Sequence, residues 1–276
     1  MRTKEYEQDP ALAQSQIKDF LKGPRYYEGR HITKTIPPKK TTDEMTFGSM
    51  VHSFALEPEH FDQEFAIITP DVLTKDGKRS GNAWKDFAAE NAGKELVFGE
   101  DAQLARTLGE RLRNHPAFPS AENILAIEKD IYWEINGAAC KGIPDIVTQS
   151  SIVFDIKTVG DMDAFLINQP TGSVMSKEAF DRGYDIQAAL YLEGCQQFYQ
   201  RDFERFILLL VETNPPYRIR VAEFSPEDIH HAMNRIVFAI NGIEERTLDG
   251  DWSDPHENEI VVLEKPKWAK QKTNLF

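Results

Sequence analysis

The spacing of apolar and polar residues predicts helices in the first part of the chain. Apolar residues recur every three or four positions in several stretches, which is the pattern of a helix with one buried face. Gly23-Pro24, Pro58 and His115-Pro116 end three of these stretches. The predicted helices cover residues 10–24, 45–58, 83–92 and 99–114.

The middle of the chain has the pattern of strands. Three short apolar runs rich in Ile and Val follow one another closely. Asn136-Gly137, between the first two runs, is a strong signal for a two-residue hairpin turn. We therefore predict a three-stranded meander, with strands at residues 122–135, 138–147 and 151–158.

Helices and strands alternate in the last part of the chain. Ser225 is a good N-cap, and Pro226 suits the first position of the helix that follows it. The predicted elements are a long helix over 176–199, strands over 203–213 and 217–224, and a helix over 226–247.

This order of elements predicts an α/β fold. The strands are expected to form a mixed central sheet flanked by helices, preceded by an α-helical N-terminal extension. We interpret residues 1–276 as one domain, with the extension at 1–44, a core at 45–247 and a basic C-terminal tail at 248–276.

The composition fits a folded protein without a membrane segment. Hydrophobic residues make up 41% of the chain, yet no apolar run approaches the ~20 residues of a membrane span. Residues 1–14 lack the apolar stretch of a signal peptide, so we expect a cytoplasmic protein. Cys140 and Cys195 stand among apolar residues, and we expect both to be buried, reduced thiols.

The charge is unevenly distributed along the chain. The net charge is −13, but residues 1–50 hold nine Lys and Arg against seven Asp and Glu, and residues 261–276 hold four Lys against one Glu. An acidic protein is not expected to coat nucleic acid, although basic ends can still bind a polyanion locally. Alternatively, the acidic balance serves only solubility.

Two carboxylates and an amine interrupt the apolar runs of "GIPDIVTQSSIVFDIKT", residues 142–158. Asp145 and Asp155 would face each other on adjacent strands, and two such buried carboxylates need a cation nearby. Mg²⁺ is bound in this way, by one or two carboxylates plus water and phosphate oxygens. Lys157 would lie on the same face as Asp155, where an ammonium can orient water or stabilise phosphate charge. An ion pair between Asp155 and Lys157 at the edge of a strand is the structural alternative.

Three further polar residues lie within predicted helices. Gln187 and Tyr191 are one turn apart in "YDIQAALY" and so share a helix face. His52 lies in the apolar helix "FGSMVHSFAL", where it is either a ligand or a histidine of the core.

Four of these segments, GSMVH, GIPDIV, FDIKT and Y-x-x-QAALY, resemble in this order the motifs of PD-(D/E)XK nucleases. The similarity is to the exonuclease VIII (RecE-type) and RecB-like branch, and it implies a restriction-endonuclease-like fold. It also implies that the metal ligands are His52, Asp145, Asp155 and the backbone carbonyl of Ile156. Lys157 would be catalytic, together with Asp145, Asp155, Gln187 and Tyr191. Glu128 is the preferred candidate for the acidic residue of the first strand, with Glu134 as the alternative.

The resemblance also implies an activity. Such an enzyme would use Mg²⁺, with Mn²⁺ as a substitute, to digest one strand of linear duplex DNA from its 5′ end. The remaining 3′ single strand would be passed to an annealing protein for recombination, in a bacterial cell or one infected by a phage. Family members form rings, so a homo-oligomeric trimer or tetramer is expected. Two cysteines exclude the RecB-like relatives that hold an iron–sulfur cluster on four.

Other functions fit the same residues. A restriction-like or structure-specific endonuclease would use the same metal site, and a non-catalytic DNA-binding module could keep the fold. A small-molecule zinc hydrolase is disfavoured because the chain lacks a His-rich ligand set.

The expected DNA contacts are basic residues outside the predicted metal site. They include the turn-rich loop over 69–82 and the C-terminal tail, where Trp268 could stack on a base. These basic residues are Arg25, Lys75, Lys78, Arg79, Lys265, Lys267, Lys270 and Lys272.

Overall fold

A computed structural model of the chain describes residues 4–264; the predicted tail contacts from Lys265 onward lie outside the described residues. The N-terminal segment forms three short helices, followed by a π-helical turn at Glu28–Ile32. The helix predicted over 10–24 is present but shorter, at Gln14–Phe20, and Gly23 and Pro24 begin the third helix. The helices are α1 (Lys4–Gln8), α2 (Gln14–Phe20) and α3 (Pro24–Tyr27).

Helices α4 and α7 pack against each other in the next part of the chain. A Cβ at Gly109 in α7 would lie 2.7 Å from the Cβ of Phe54, so the contact requires glycine. The chain between them adds a parallel pair of four-residue strands that the sequence pattern did not predict. The elements are α4 (Asp43–Leu56), α5 (Phe61–Glu64), β1 (Phe65–Ile68), α6 (Asn82–Glu90), β2 (Glu95–Phe98) and α7 (Gly99–Arg113), with 3₁₀ turns at Pro58–His60 and Pro70–Val72.

The rest of the described chain supplies the other strands and helices. They are β3 (Ile124–Ile127), β4 (Ile131–Ile135), β5 (Ala138–Gly142), β6 (Ile146–Thr148), β7 (Ile152–Val159), α8 (Met162–Phe165), β8 (Ile167–Asn168), β9 (Val174–Met175), α9 (Lys177–Asp181), α10 (Tyr184–Tyr199), β10 (Arg205–Glu212), β11 (Ile219–Glu223) and α11 (Pro226–Asp249). The central sheet has five strands in the order β11-β10-β7-β6-β3. Strands β7 and β10 are parallel and the other neighbours are antiparallel, so the sheet is mixed, as predicted.

The predicted three-stranded meander is wrong. Residues 122–135 divide into β3 and β4, and residues 138–147 divide into β5 and β6. Glu128, with φ of 41°, turns the chain after β3, and Pro144 has no N–H to extend the ladder of β5. Strands β4 and β5 therefore form a separate hairpin, whose Asn136-Gly137 turn is confirmed by φ values of 52° and 83°.

The predicted helix over 176–199 is also interrupted. It breaks after α9, and Gly183 has φ of 63° immediately before α10 begins. The last helix begins as predicted, because the Ser225 side chain accepts a hydrogen bond from the N–H of Asp228.

Apolar side chains cover both faces of the central sheet. Val153 and Leu208 belong to the cluster formed with α2, α10 and α11, whereas Phe154 and Leu209 belong to the cluster formed with α4 and α7. The predicted α/β class, with helices on both sides of a mixed sheet, is confirmed. Cys140 and Cys195 are buried and free. Within residues 4–264, no helix combines the length and the apolar character needed to cross a membrane.

Candidate active site

Strand β7 carries a carboxylate and an amine in the interior of the sheet. The Asp155 side chain is fully buried, and its Oδ2 lies 2.5 Å from Nζ of Lys157. The two residues share a face because they are two positions apart on one strand. The pair lies on a central strand, between β6 and β10, so it is not at the edge of the sheet.

Helix α10 holds the other oxygen of this carboxylate. The amide Nε2 of Gln187 donates a 2.6 Å hydrogen bond to Oδ1 of Asp155. Both side chains are buried, so the hydrogen bond fixes the orientation of the carboxylate in an environment where water cannot replace it.

The turn before β6 brings the second aspartate to β7. Asp145 follows Pro144, and its Oδ2 accepts a 2.7 Å hydrogen bond from the backbone N–H of Ile156. Asp145 is thereby fixed to the residue between Asp155 and Lys157. The two aspartates predicted to converge do so.

His52, on α4, lies between two carboxylates. Its Nε2 is 2.7 Å from Oδ2 of Asp145, and its Nδ1 is 3.0 Å from Oε1 of Glu128. Burial would lower the pKa of His52, but the neighbouring carboxylates raise it to about 10. His52 is therefore part of the polar cluster and not an isolated histidine of the core.

The charges of the cluster perturb one another. Burial, reinforced by the charge of Asp145, raises the pKa of Asp155 above its ordinary value. Burial would also raise the pKa of Asp145, but the imidazolium of His52 lowers it overall. Burial opposes the charged form of Lys157, yet the two aspartates raise the pKa of this lysine. The hydrogen bond from His52 lowers the pKa of Glu128.

The donors in this cluster are of the type that hard divalent cations prefer. Asp145 and Asp155 supply carboxylate oxygens, Ile156 a backbone carbonyl and His52 an imidazole. Within residues 4–264, no group of three or more His, Cys, Asp or Glu side chains is arranged so that it could hold a metal ion. Both nitrogens of His52 lie against carboxylates instead. Such an open set fits Mg²⁺ or Mn²⁺, which completes its coordination with water, better than it fits a structural zinc ion.

Tyr191 contacts Gln14 on the N-terminal helix α2, and Gln14 in turn contacts Lys18; the motifs indicated neither residue of α2. Nε2 of Gln14 donates a 3.0 Å hydrogen bond to the hydroxyl of Tyr191, and Nζ of Lys18 donates a 2.6 Å hydrogen bond to Oε1 of Gln14. Burial and the nearby charge of Lys157 lower the pKa of Lys18 to about 8. The i, i+4 spacing of Gln14 and Lys18 on the polar side of α2 was the only sequence signal for this pair.

The first residue of α10 contacts both lysines. Nζ of Lys157 lies 5.0 Å and Nζ of Lys18 lies 5.9 Å from the ring centroid of Tyr184. The ring face attracts each ammonium. Tyr184 therefore forms a wall beside the two amines.

Most of these residues line one cleft with a volume of about 1360 Å³, whereas the fully buried Asp155, and also Lys18, do not belong to its lining. Its lining includes eight Asp and Glu residues but only four Lys and Arg residues. Glu128 lines the cleft, whereas Glu134 is exposed on β4 and does not, so the geometry favours Glu128 over the alternative.

The expected DNA contacts differ in their surroundings. Arg79 lines the cleft, and Lys75 and Lys78 are exposed on the same loop. Arg25 instead forms ion pairs with Glu28 at 3.3 Å and Glu257 at 3.0 Å. Their part in DNA binding stays a prediction, and it is weaker for Arg25 because carboxylates already neutralise its charge.

Comparison with solved structures supports the fold. A protein from Eubacterium rectale, described as a "Putative exonuclease", aligns with a TM-score of 0.62 at 17% identity, covering 100% of this chain and 99% of that one. A second structure, of SSO0001, aligns with a TM-score of 0.28 at 17% identity, covering 72% of this chain and 86% of that one, and carries no argument. No curated protein matches the chain.

A family model matches residues 13–257, from the start of α2 to beyond α11. The matched region contains all the cleft residues described above, and its description confirms the resemblance to PD-(D/E)XK proteins. The chain belongs to the family of PDDEXK-like domains of unknown function, DUF3799.

Proposed function

We propose that this protein is a Mg²⁺-dependent exodeoxyribonuclease that digests linear double-stranded DNA from 5′ to 3′ and leaves 3′ single strands. The observation that carries the proposal is the convergence of Asp145, Asp155 and Lys157: Asp145 and Lys157 line the cleft, and the buried Asp155 contacts Lys157 and Gln187 directly beside it. The family and its fold support a nuclease; the strand polarity and the metal are part of the proposal.

Each residue of the cluster has a role in this reaction. Asp145 and Asp155 would hold the metal with the carbonyl of Ile156. His52 would join them only after it gives up the proton that it holds between Asp145 and Glu128. A divalent cation bound there supplies electrostatic stabilisation to the phosphate as charge develops on it. The ammonium of Lys157 orients the attacking water and stabilises the same charge. Gln187 keeps Asp155 in one orientation, so that little reorganisation is needed when substrate binds.

The alternatives use the same cleft differently. An endonuclease would cut circular DNA as well as linear DNA, whereas an exonuclease needs an end. A non-catalytic module has no need to bury Asp155 beside a second carboxylate, an arrangement that costs stability even though Lys157 and His52 offset part of the charge. The description of the similar structure from Eubacterium rectale favours the exonuclease over the endonuclease.

One assay separates these functions. Linear duplex labelled at the 5′ end, the same duplex labelled at the 3′ end, and a closed circle are incubated with Mg²⁺, Mn²⁺, Ca²⁺ or EDTA. We expect early release of the 5′ label from linear DNA with Mg²⁺ or Mn²⁺, little cleavage with Ca²⁺, and none with EDTA or with the circle. Cleavage of the circle would indicate the endonuclease, and no cleavage under any condition would contradict a nuclease.

We further propose that the subunits form a trimeric or tetrameric ring around the DNA. This proposal rests on the resemblance to nucleases that form rings, and the basic residues near both ends of the sequence could line the central hole. Light scattering of the purified protein gives the subunit number. A single-strand annealing protein is the partner expected at the emerging 3′ strand, and co-purification from a cell that expresses both proteins tests it.

A further inference from the structure

Arg79 lies between two aromatic rings at the wall of the cleft. Its guanidinium carbon is 4.8 Å from the ring centroid of Phe98 and 5.7 Å from that of Trp84. Phe98 ends β2, Trp84 lies in the first turn of α6, and Arg79 belongs to the loop before that helix. Three separate segments thus bring these side chains together; we call Arg79, Trp84 and Phe98 the aromatic platform.

The aromatic platform is not part of the protein core. Helix α6 has no buried residue, Phe98 is 38% exposed and Arg79 is exposed. Within the described part of the chain, Arg79 has no carboxylate partner, in contrast to Arg25 with its two glutamates. The guanidinium covers one face of each ring, which leaves the exposed part of Phe98 and the cation itself accessible to a ligand. Arg79 and Phe98 line the cleft that contains Lys157, and Trp84 lies behind Arg79, outside the lining.

The charge of the cleft indicates which part of a nucleic acid the aromatic platform can bind. Carboxylates outnumber Lys and Arg by eight to four among the lining residues, so the cleft alone attracts a phosphate backbone weakly. Stacking of a base on an aromatic ring does not depend on net charge and tolerates any sequence, because every base has a π-face. A guanidinium adds a planar surface of its own and a contact to phosphate.

We propose that the aromatic platform stacks an unpaired base of the DNA strand that enters the cleft. The identification of the ligand as DNA rests on the proposed function. Bases inside a duplex are stacked on both faces, so within a strand only an unpaired base has both faces free for an aromatic side chain. The platform thereby selects an unpaired segment beside the site of cleavage.

Binding in EDTA tests this proposal without cleavage. The full-length protein is titrated with a short oligothymidylate and with an abasic oligomer of equal length, which has the same phosphates but no bases. We expect the oligothymidylate to bind more tightly and to change the tryptophan fluorescence of the wild type more than that of Trp84→Leu, since the chain has three other Trp residues. Trp84→Leu and Phe98→Leu should each weaken its binding about five- to 150-fold per lost stacking contact and leave the abasic oligomer unaffected.

Two variants serve as controls. Trp84→Phe keeps an aromatic ring and should retain most of the affinity. Phe198→Leu removes another exposed ring, 39% accessible and with Nζ of Lys129 5.9 Å from its centroid, that lies outside the cleft; it should leave both affinities unchanged. The melting temperature of each variant shows that it is folded.

Equal affinity of the wild type for the two oligomers, or unchanged affinity in both leucine variants, would overturn the aromatic platform as a base-binding site. Neither result affects the proposed nuclease, which is judged by cleavage of duplex with Mg²⁺. Conversely, a protein that binds the oligothymidylate selectively but cleaves no DNA would support the aromatic platform as a base-binding site and contradict the proposed nuclease activity.

Discussion

Gln187 donates a 2.6 Å hydrogen bond to Asp155, and this contact joins helix α10 to the central strand β7. Because the amide occupies Oδ1, the other oxygen of the carboxylate is left facing Lys157, 2.5 Å away. One oxygen of Asp155 therefore contacts helix α10, and the other contacts Lys157 in the polar cluster. A buried amide is well suited to this role, because it donates without adding a charge that would disturb the two aspartates.

Removal of this amide should affect activity more than stability. We expect Gln187→Ala to lower kcat about 10- to 100-fold and to raise the Mg²⁺ concentration needed for half-maximal activity, because Asp155 loses its fixed orientation. The matched control is Gln197→Ala on the same helix, which loses a 2.8 Å hydrogen bond to the carbonyl of Glu134 outside the cleft. Equal losses of activity in both variants would show that the effect is one of general stability.

The two aspartates should be essential for metal binding and dispensable for folding. Asp145→Asn and Asp155→Asn keep the size of the side chain but remove the negative charge, so each should abolish cleavage and weaken Mn²⁺ binding measured by calorimetry. Asp181→Asn, at a carboxylate paired with Lys177 on the exposed helix α9, should change neither. Cleavage at the wild-type rate by Asp155→Asn would contradict the proposed metal site.

Lys157 should act on the reaction and not on the metal. We expect Lys157→Met to lose most of its activity while retaining Mn²⁺ affinity, because an ammonium stabilises the transition state and does not ligate a cation. Lys157→Arg should be little more active than Lys157→Met, because a planar guanidinium does not replace a compact ammonium. Loss of Mn²⁺ binding in Lys157→Met would indicate instead that Lys157 is the structural partner of Asp155.

The core of the cluster could be predicted because its signals are local in sequence. Asp155 and Lys157 are two residues apart on one strand, so the period of a strand alone places them on one face. Asp145 could be added because a turn of a few residues joins its strand to β7. The division of the meander could not be predicted in the same way, since the left-handed conformation of Glu128 is adopted by few non-glycine residues.

The sequence pattern did not predict contacts between segments that are far apart in the chain. The hydrogen bond between Gln14 and Tyr191 spans 177 residues, and nothing in either helix indicates the other. Main-chain contacts explain it: the N–H of Leu12 donates to the carbonyl of Ala139, and its carbonyl accepts from the N–H of Lys141, which fixes the start of α2 beside the β4–β5 hairpin. The N-terminal segment predicted as an extension thus contributes to the cleft.

Lys18 and Tyr191 should act as a unit through Gln14. Lys18 binds the oxygen of the Gln14 amide, which directs the amide nitrogen to Tyr191 and leaves the tyrosine hydroxyl able to donate to substrate. We expect Lys18→Met and Tyr191→Phe each to lower kcat by about tenfold, and the double variant to lose little more than either single one. If the losses of kcat in this double-mutant cycle were additive, Lys18 and Tyr191 would act independently of each other.

A buried carboxylate at the end of β10 predicts how the fold responds to acid. Glu212 accepts hydrogen bonds from the Arg218 side chain at 2.7 and 2.9 Å and from the N–H of Met162 at 2.9 Å. The hydrogen bonds from Arg218 lower the pKa of Glu212 from 4.5 to about 2. Its carboxylate therefore stabilises the fold above about pH 4.5, and this contribution is lost as the pH falls from 4.5 towards 2.

Glu212→Gln should accordingly be less stable than the wild type at pH 7, by about 1–3 kcal/mol in free energy of unfolding, because it removes the charged acceptor from Arg218. The difference should shrink as the pH is lowered below 4.5, where the wild type begins to lose the same interaction. Glu223→Gln is the matched control, since Glu223 forms an exposed ion pair with Arg205 at 2.9 Å on the same two strands. Such a pair contributes about 0–1 kcal/mol. Urea unfolding at pH 7, 4 and 3 measures both variants, and a Glu212→Gln difference that stays constant over this range would show that the charge of Glu212 does not stabilise the fold.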